Sequence, residues 1–297
     1  MSSDTGERPP GIDPPAMALL FGLCAIWGLN QVAIKVGHAG ISPLTQAGLR
    51  SAIATACLVA WAAARGVRLV PRDGALGYGV TIALLFSVEF VCIYQGLTYT
   101  TASRAILFLY VSPFVVAAGA HLFLPGERLS RRKALGLACA FAGVALAFAD
   151  GLRLPSRREL VGDALELAGA VLWGATTLVI KARGRTVSPH ATLFYQLAGS
   201  AVVLLALAVA VGEAGVTRPT PVVLAALAYQ GVVIAFATYL AWFWLLARYP
   251  AAEMAAFTFW TPLFGLAAGA LLLGEPVTAA LVVAFVMVTA GIYLVNR

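Results

Sequence analysis

Charge is scarce in this 297-residue sequence: Asp, Glu, Lys and Arg together make up 11% of it, against about 25% in ordinary soluble domains. The 20 Lys and Arg and 13 Asp and Glu cannot coat a chain that is 61% hydrophobic, with a mean hydropathy of +0.90. A water-soluble fold is excluded, and the solvent must be largely lipid. Thiols and imidazoles are few as well. Cys24, Cys57, Cys92 and Cys139 lie in apolar stretches without a CxxC, and His38, His121 and His190 stand singly, so no disulfide framework, metal site or cofactor is expected. There is no GxSxG, paired Asp, HExxH or glycine-rich phosphate loop, which argues against an enzyme. The net charge of +7 would suggest nucleic acid in a soluble protein. Here the cations fall between apolar runs, so lipid is the expected partner and nucleic acid is not. Long polar stretches are missing too: the longest connection runs from Asp150 to Val161, leaving no room for a soluble catalytic or scaffold domain. Function has to reside between helices.

What is present is a series of runs long enough to cross a bilayer, which takes about 20 mostly apolar residues. Cutting the chain at charges and Gly-Pro punctuation gives ten segments, 16–37, 43–64, 75–98, 102–124, 132–149, 162–182, 190–211, 221–246, 252–273 and 278–296. The expected class is an all-α integral membrane protein, since alternation of the kind a barrel needs is absent. The polar, Pro-rich residues 1–15 lack the basic start and small-residue cleavage site of a signal peptide and are expected to form a disordered tail. Placing that tail in the cytosol also places Arg65, Arg68, Arg72, Arg128, Arg131, Arg132, Lys133, Lys181, Arg183, Arg185, Arg248 and Arg297 there. The positive-inside rule thus predicts cytosolic N and C termini.

The two halves resemble each other. Trp27-Gly28, Ile34-Lys35 and Ser42-Pro43 recur as Trp173-Gly174, Ile180-Lys181 and Ser188-Pro189 at an offset of 146, Pro113 recurs as Pro262 at 149, and Gly126-Glu127 and Gly143 recur as Gly274-Glu275 and Gly291 at 148. Repeats over 16–149 and 162–297, joined by 150–161, hold five segments each. An odd number forces the second repeat to enter the membrane upside down, the construction of many secondary transporters with a site near the midplane.

These landmarks, a WGxxxxxIK run opening each half, an SP start to the second helix, and a mid-helix Pro followed by GE in the fourth and ninth, resemble the ten-helix drug/metabolite transporter superfamily, the EamA-type permeases. The resemblance covers residues 16–296 and is nearest to bacterial exporters of amino acids, aromatic ones included. It implies a cavity lined by segments 1, 3, 4, 6, 8 and 9, with 5 and 10 peripheral, and a small-molecule substrate carried by a monomer or weak homodimer.

Polar residues inside the bilayer nominate the site, because each costs free energy unless it faces protein or water. Trp27, Asn30, Gln31 and Ile34 share one helical face, and Trp173, Thr176, Thr177 and Ile180 repeat the arrangement. These faces either bind a small amphipathic solute or hold helices together. Glu89 reads as the one carboxyl well inside a segment, about 12 Å from the helix end at 1.5 Å per residue, on a stripe with Tyr78. It is either a substrate or proton site or half of an ion pair with Arg50; Arg104 and a substrate ammonium are further partners. Tyr239, Trp242 and Trp260 lie deep enough to stack on a substrate, and Tyr99 belongs to the same aromatic group. Pro113 and Pro262 each remove a backbone donor in mid-segment; they are hinges, or simply the prolines common in membrane helices. Gly265 and Gly269 form a GxxxG packing motif. Rings of like groups expected of a channel are absent.

Overall fold

A computed structural model describes residues 12–70, 75–152, 154–183, 186–273 and 278–297. The described chain is helical: α1 (Pro14–His38), α2 (Pro43–Arg65), α3 (Leu76–Tyr99), α4 (Ala102–Leu109), α5 (Ser112–Phe123), α6 (Arg131–Ala147), α7 (Arg157–Arg183), α8 (Pro189–Ala210), α9 (Pro221–Ala228), a wider-wound π segment (Tyr229–Thr238), α10 (Tyr239–Leu246), α11 (Ala251–Phe257), α12 (Trp260–Leu273) and α13 (Ala279–Val295). Among the described residues, seven stretches are long and apolar enough to cross a membrane, including Ser103–Phe123 and Pro221–Leu246, which run through changes of winding.

The starts follow elementary capping rules. Asp13 precedes Pro14 and accepts from the Ala16 N–H at 2.9 Å, and Ser188 before Pro189 accepts from Ala191; each satisfies a donor that the first turn leaves unpaired. The Ser42 side chain does not cap α2. Its hydroxyl donates to the Gly215 carbonyl, while the Glu213 carboxylate takes the N–H groups of Leu44 (3.0 Å) and Thr45 (2.8 Å). The loop after α8 thereby caps α2 from outside.

Several boundaries differ from expectation. α1 starts at Pro14 and Ile12 is buried, so the last residues of the expected tail are ordered; Met1–Gly11 lie outside the described residues. The connection expected at 150–161 is shorter, because α7 starts at Arg157 behind a capping box: the Glu159 carboxylate accepts from Ser156 N–H (2.8 Å) and the Ser156 hydroxyl accepts from Glu159 N–H (3.2 Å). The S-x-x-E signature was legible. At Pro113 and Pro262 the expected kinks are complete breaks. Each proline falls in the first turn of a new helix, α5 or α12, where its missing N–H leaves no bond unmade. The second GE pair, Gly274-Glu275, lies outside the described residues, as does the side chain at Gly269.

The helices interleave. α1 packs on α12 and α9, α3 on α7 and α8, α2 on α8 and the π segment, α5 on α7, and α6 and α13 chiefly on each other. Glycine permits the closest approaches. A Cβ on Gly28 would stand 2.8 Å from the backbone nitrogen of Gly265 and 2.9 Å from the Thr261 carbonyl, too near for backbone that cannot rotate away. Gly28→Val should therefore lower the melting temperature of the purified protein, by a destabilisation of about 1–3 kcal/mol. A melting curve unchanged from wild type would contradict the α1–α12 contact.

Candidate functional site

Between these helices lies a central cavity of about 160 Å³, lined by Trp27, Asn30, Arg50, Glu89, Trp173, Thr176, Thr177, Tyr239 and Trp242 among others. Its wall is aromatic. Trp242 sits between the two tryptophans nominated by the repeat, 5.3 Å from the Trp27 ring at 65° and 6.2 Å from Trp173 at 32°. The Trp27 indole N–H donates to the Thr238 hydroxyl at 2.7 Å, which itself donates to the Ile234 carbonyl at 2.6 Å. That chain fixes the ring, since the indole donor is satisfied in one orientation.

Two opposite charges face this wall. Arg50 is 1% exposed; its guanidinium lies 4.4 Å over the Phe90 ring and donates to the Tyr239 hydroxyl at 3.1 Å, and its Nε has no partner. Glu89 is 2% exposed, and its buried Oε2 has no partner either. Of the two alternatives for Glu89, the ion pair with Arg50 is not made, and Arg104, the other protein candidate, binds Asp163 instead through its guanidinium Nε at 3.1 Å to both carboxylate oxygens. A polar group left unpaired at this depth is costly, so the cavity presents a guanidinium and a carboxyl group to whatever enters it.

Not every nominated residue reaches the cavity. Tyr78 is held at the α3–α8 interface by a 3.0 Å hydrogen bond between its hydroxyl and that of Thr192. Tyr99 ends α3 on the surface beneath the Arg158 guanidinium at 5.4 Å. Trp260 turns away to stack with Phe21 and Phe285, both at 5.3 Å. The Gln31 side chain lies outside the described residues. Conversely, Gln196, Ser112, Thr258 and Thr261 line the cavity and were not nominated. Gln196 was legible, because it stands 146 residues after Arg50 in the repeat.

Another cavity, of about 370 Å³, adjoins the first across the shared residues Ile34, Ile93 and Leu109, and is lined by Lys35, His38, Leu97, Thr100, Thr101 and Glu166. Glu89 is thus not the one buried carboxyl within a helix: Glu166, 1% exposed, lies inside α7 together with the buried Glu159 and Asp163. The opposite end of the bundle is tied shut. Glu127 accepts from the N–H groups of Ala251 (2.8 Å) and Ala252 (3.4 Å), Lys181 donates to the carbonyls of Leu246 (2.9 Å) and Tyr249 (2.6 Å), and Lys133 pairs with Glu253 at 3.0 Å. There the Tyr249 hydroxyl donates to Asp13 at 2.7 Å and, with the Ala16 N–H, holds the Asp13 carboxyl below its usual range.

Because Glu89 and Arg50 are not bonded to one another, Glu89→Gln removes a buried charge without stranding its neighbour. Its melting temperature is expected to equal or exceed that of wild type. A loss of several degrees restored by Arg50→Gln would reveal a structural pair.

A family model described as EamA-like transporter family matches this chain over residues 14–149 and again over 160–297. Proteins of Salmonella typhimurium and Escherichia coli, each named a probable amino-acid metabolite efflux pump, are 32% identical over 291 and 299 residues, spanning 94% of this chain and 93% of theirs. An uncharacterized transporter of Bacillus subtilis, YvbV, is 28% identical over 281 residues, 95% of this chain and 91% of that protein. A solved crystal structure with 18% identity overlays with a TM-score of 0.81, covering 95% of this chain and 96% of that one, which shows a common fold. With both halves matched, the chain belongs to the EamA-like transporter family.

Proposed function

We propose that the chain exports amino acids and closely related amphipathic metabolites across a bacterial inner membrane, by alternating access between two inverted five-helix repeats. The observation that carries this reading is the unpaired Arg50 and Glu89 in one aromatic cavity. An amino acid brings a carboxylate and an ammonium that together satisfy both charges, and an apolar side chain that the indoles of Trp27, Trp173 and Trp242 accommodate. The names of the Salmonella and Escherichia relatives support the same substrate class. A neutral drug or lipophilic metabolite would leave both charges buried and unanswered.

The packing supports the repeat. Exchanging the halves maps the α1–α12 contact onto α7–α5, α3–α7 onto α9–α1, and α3–α8 onto the π segment with α2, while α2–α8 and α6–α13 map onto themselves. The cavity wall is drawn from matching positions: Asn30 and Thr176, Ile34 and Ile180, Arg50 and Gln196. Ten spans follow when α6, α13 and the broken α11–α12 join the seven longer stretches. In the state described, the Lys181 end is tied and the Lys35 end holds a cavity. Lys35 is the counterpart of Lys181, and Leu97 and Thr100 of Leu246 and Tyr249. In the reverse state Lys35 takes the Leu97 and Thr100 carbonyls, and the two ends exchange roles. The prolines then mark the breaks about which α5 and α12 pivot.

Cysteines placed at Arg131 and Arg157 test the orientation: an impermeant reagent in the periplasm should label the second and not the first. The reverse pattern would overturn the cytosolic placement of the termini. Reconstituted vesicles test the activity. Labelled phenylalanine should show saturable uptake and counterflow, reduced at least about tenfold in Glu89→Gln, the loss expected for one charge-assisted hydrogen bond. Flux that does not saturate would indicate a channel, and wild-type counterflow in a stable Glu89→Gln protein would remove Glu89 from the site.

A further inference from the structure

We propose that the cavity at the Lys35 end is a second binding site, for an organic ammonium group held by Glu166. Its assignment to the exit route of the exported amino acid rests on the function proposed above; ammonium binding itself does not.

Glu166 lies on the α7 face that meets α3, four residues after Gly162 and three before Gly169. Both glycines are places where α3 comes close: a Cβ on Gly162 would stand 2.7 Å from Thr100 and one on Gly169 2.9 Å from the Ile93 side chain. Across from Glu166 the facing helix carries Gly96, where a Cβ would meet Oε1 at 2.8 Å. Small residues above, below and opposite have thus cleared space for a carboxylate in a tight helix–helix seam. Yet neither of its oxygens has a hydrogen-bond partner, although the residue is 1% exposed. The neighbouring polar groups are engaged elsewhere: Asp163 holds Arg104, and the Thr100 hydroxyl donates to Asp163 at 2.7 Å. A carboxylate with two unmet acceptors is expensive unless something with donors arrives.

The cavity it faces sets the class of that ligand. One available carboxylate is too few oxygen ligands for a divalent cation. A primary ammonium needs fewer, and Ile34, Ile93, Leu97 and Leu109 on the same walls offer an apolar surface for the carbon body attached to it. Lys35 and His38, whose Nε2 is without a partner, complete the wall from α1 and suit a carboxylate carried by the same solute. The two cavities share Ile34, Ile93 and Leu109, so a solute released by Glu89 and Arg50 meets Glu166 and Lys35 as its next pair of opposite charges.

The site is read at a reporter within it. In full-length protein with the native cysteines replaced by alanine and Leu97→Cys introduced, in lipid nanodiscs, phenethylamine should slow maleimide labelling of Cys at position 97 in a saturable manner. Glu166→Gln should raise the half-protecting concentration about tenfold or more; Glu166→Asp, which keeps the charge, should retain protection, and Glu89→Gln should leave it unchanged. Equal protection in Glu166→Gln, or protection abolished by Glu89→Gln alone, would overturn the site. So would Glu166→Gln that keeps amine protection and loses only the pH dependence of transport, since Glu166 would then carry a proton. Glu166-dependent amine protection in a protein with no amino-acid counterflow would uphold this site while refuting the substrate class.

Discussion

The structure is governed by the absence of water as a hydrogen-bonding partner in hydrocarbon. Many polar groups at depth are bound by other parts of the chain. Gln230, fully buried in the π segment, shows how thoroughly. Its side-chain nitrogen donates to the carbonyls of Ala33 and Ala226, both at 3.1 Å, and its oxygen accepts from Gln46 at 3.1 Å and Tyr94 at 3.3 Å. One amide thus joins α1, α2, α3 and the π segment, and the wide winding that gives it room sits where such windings are often functional. Against that background the unsatisfied groups on the cavity walls, Arg50 Nε, Glu89 Oε2 and both oxygens of Glu166, are where a solute supplies what the protein does not.

The same constraint explains the ends of the bundle. The breaks at Pro113 and Pro262 keep turn hydrogen bonds of their own, whereas the helix ends at the loops must be capped. At the closed end this is done by side chains distant in the chain: Glu127, from the first half, on the start of α11, and Lys181, from the second, on the carbonyls at the end of α10. Both residues come from motifs that recur, GE and IK. Their charges match the helix dipoles they meet, so the contacts are favourable.

Much of this was legible beforehand. Apolar run length gave the helical membrane class, and the recurrence of WG, IK, SP and Pro gave the family. Of the residues nominated by shared helical faces, Trp27, Asn30, Trp173, Thr176 and Thr177 line one cavity, together with Glu89, nominated as an intramembrane acid, and Tyr239 and Trp242, nominated by depth. The stripe through Glu89 and Tyr78 failed because α3 is buried on more than one side: Tyr78 faces α8 while Glu89 faces the centre. Depth alone misplaced Trp260, which is half-buried among the rings of Phe21, Phe264 and Phe285. Glu166 was passed over because the segment was begun at 162, making the residue look terminal. The capping box at Ser156 and Glu159 would have moved that start and placed Glu166 on the stripe of Trp173 and Thr177. The Gln46–Gln230–Tyr94 knot had no sequence signature, since its members are far apart and none sits in a motif.

The central claim is that one amino acid answers both charges of the cavity at once. A structure determined with phenylalanine bound tests it most directly. The account predicts the ammonium within hydrogen-bond reach of Glu89, at about 3 Å, the carboxylate at Arg50, and the phenyl ring among Trp27, Trp173 and Trp242. Phenylalanine found elsewhere, or a cavity occupied while Glu89 and Arg50 pair with each other, would contradict it.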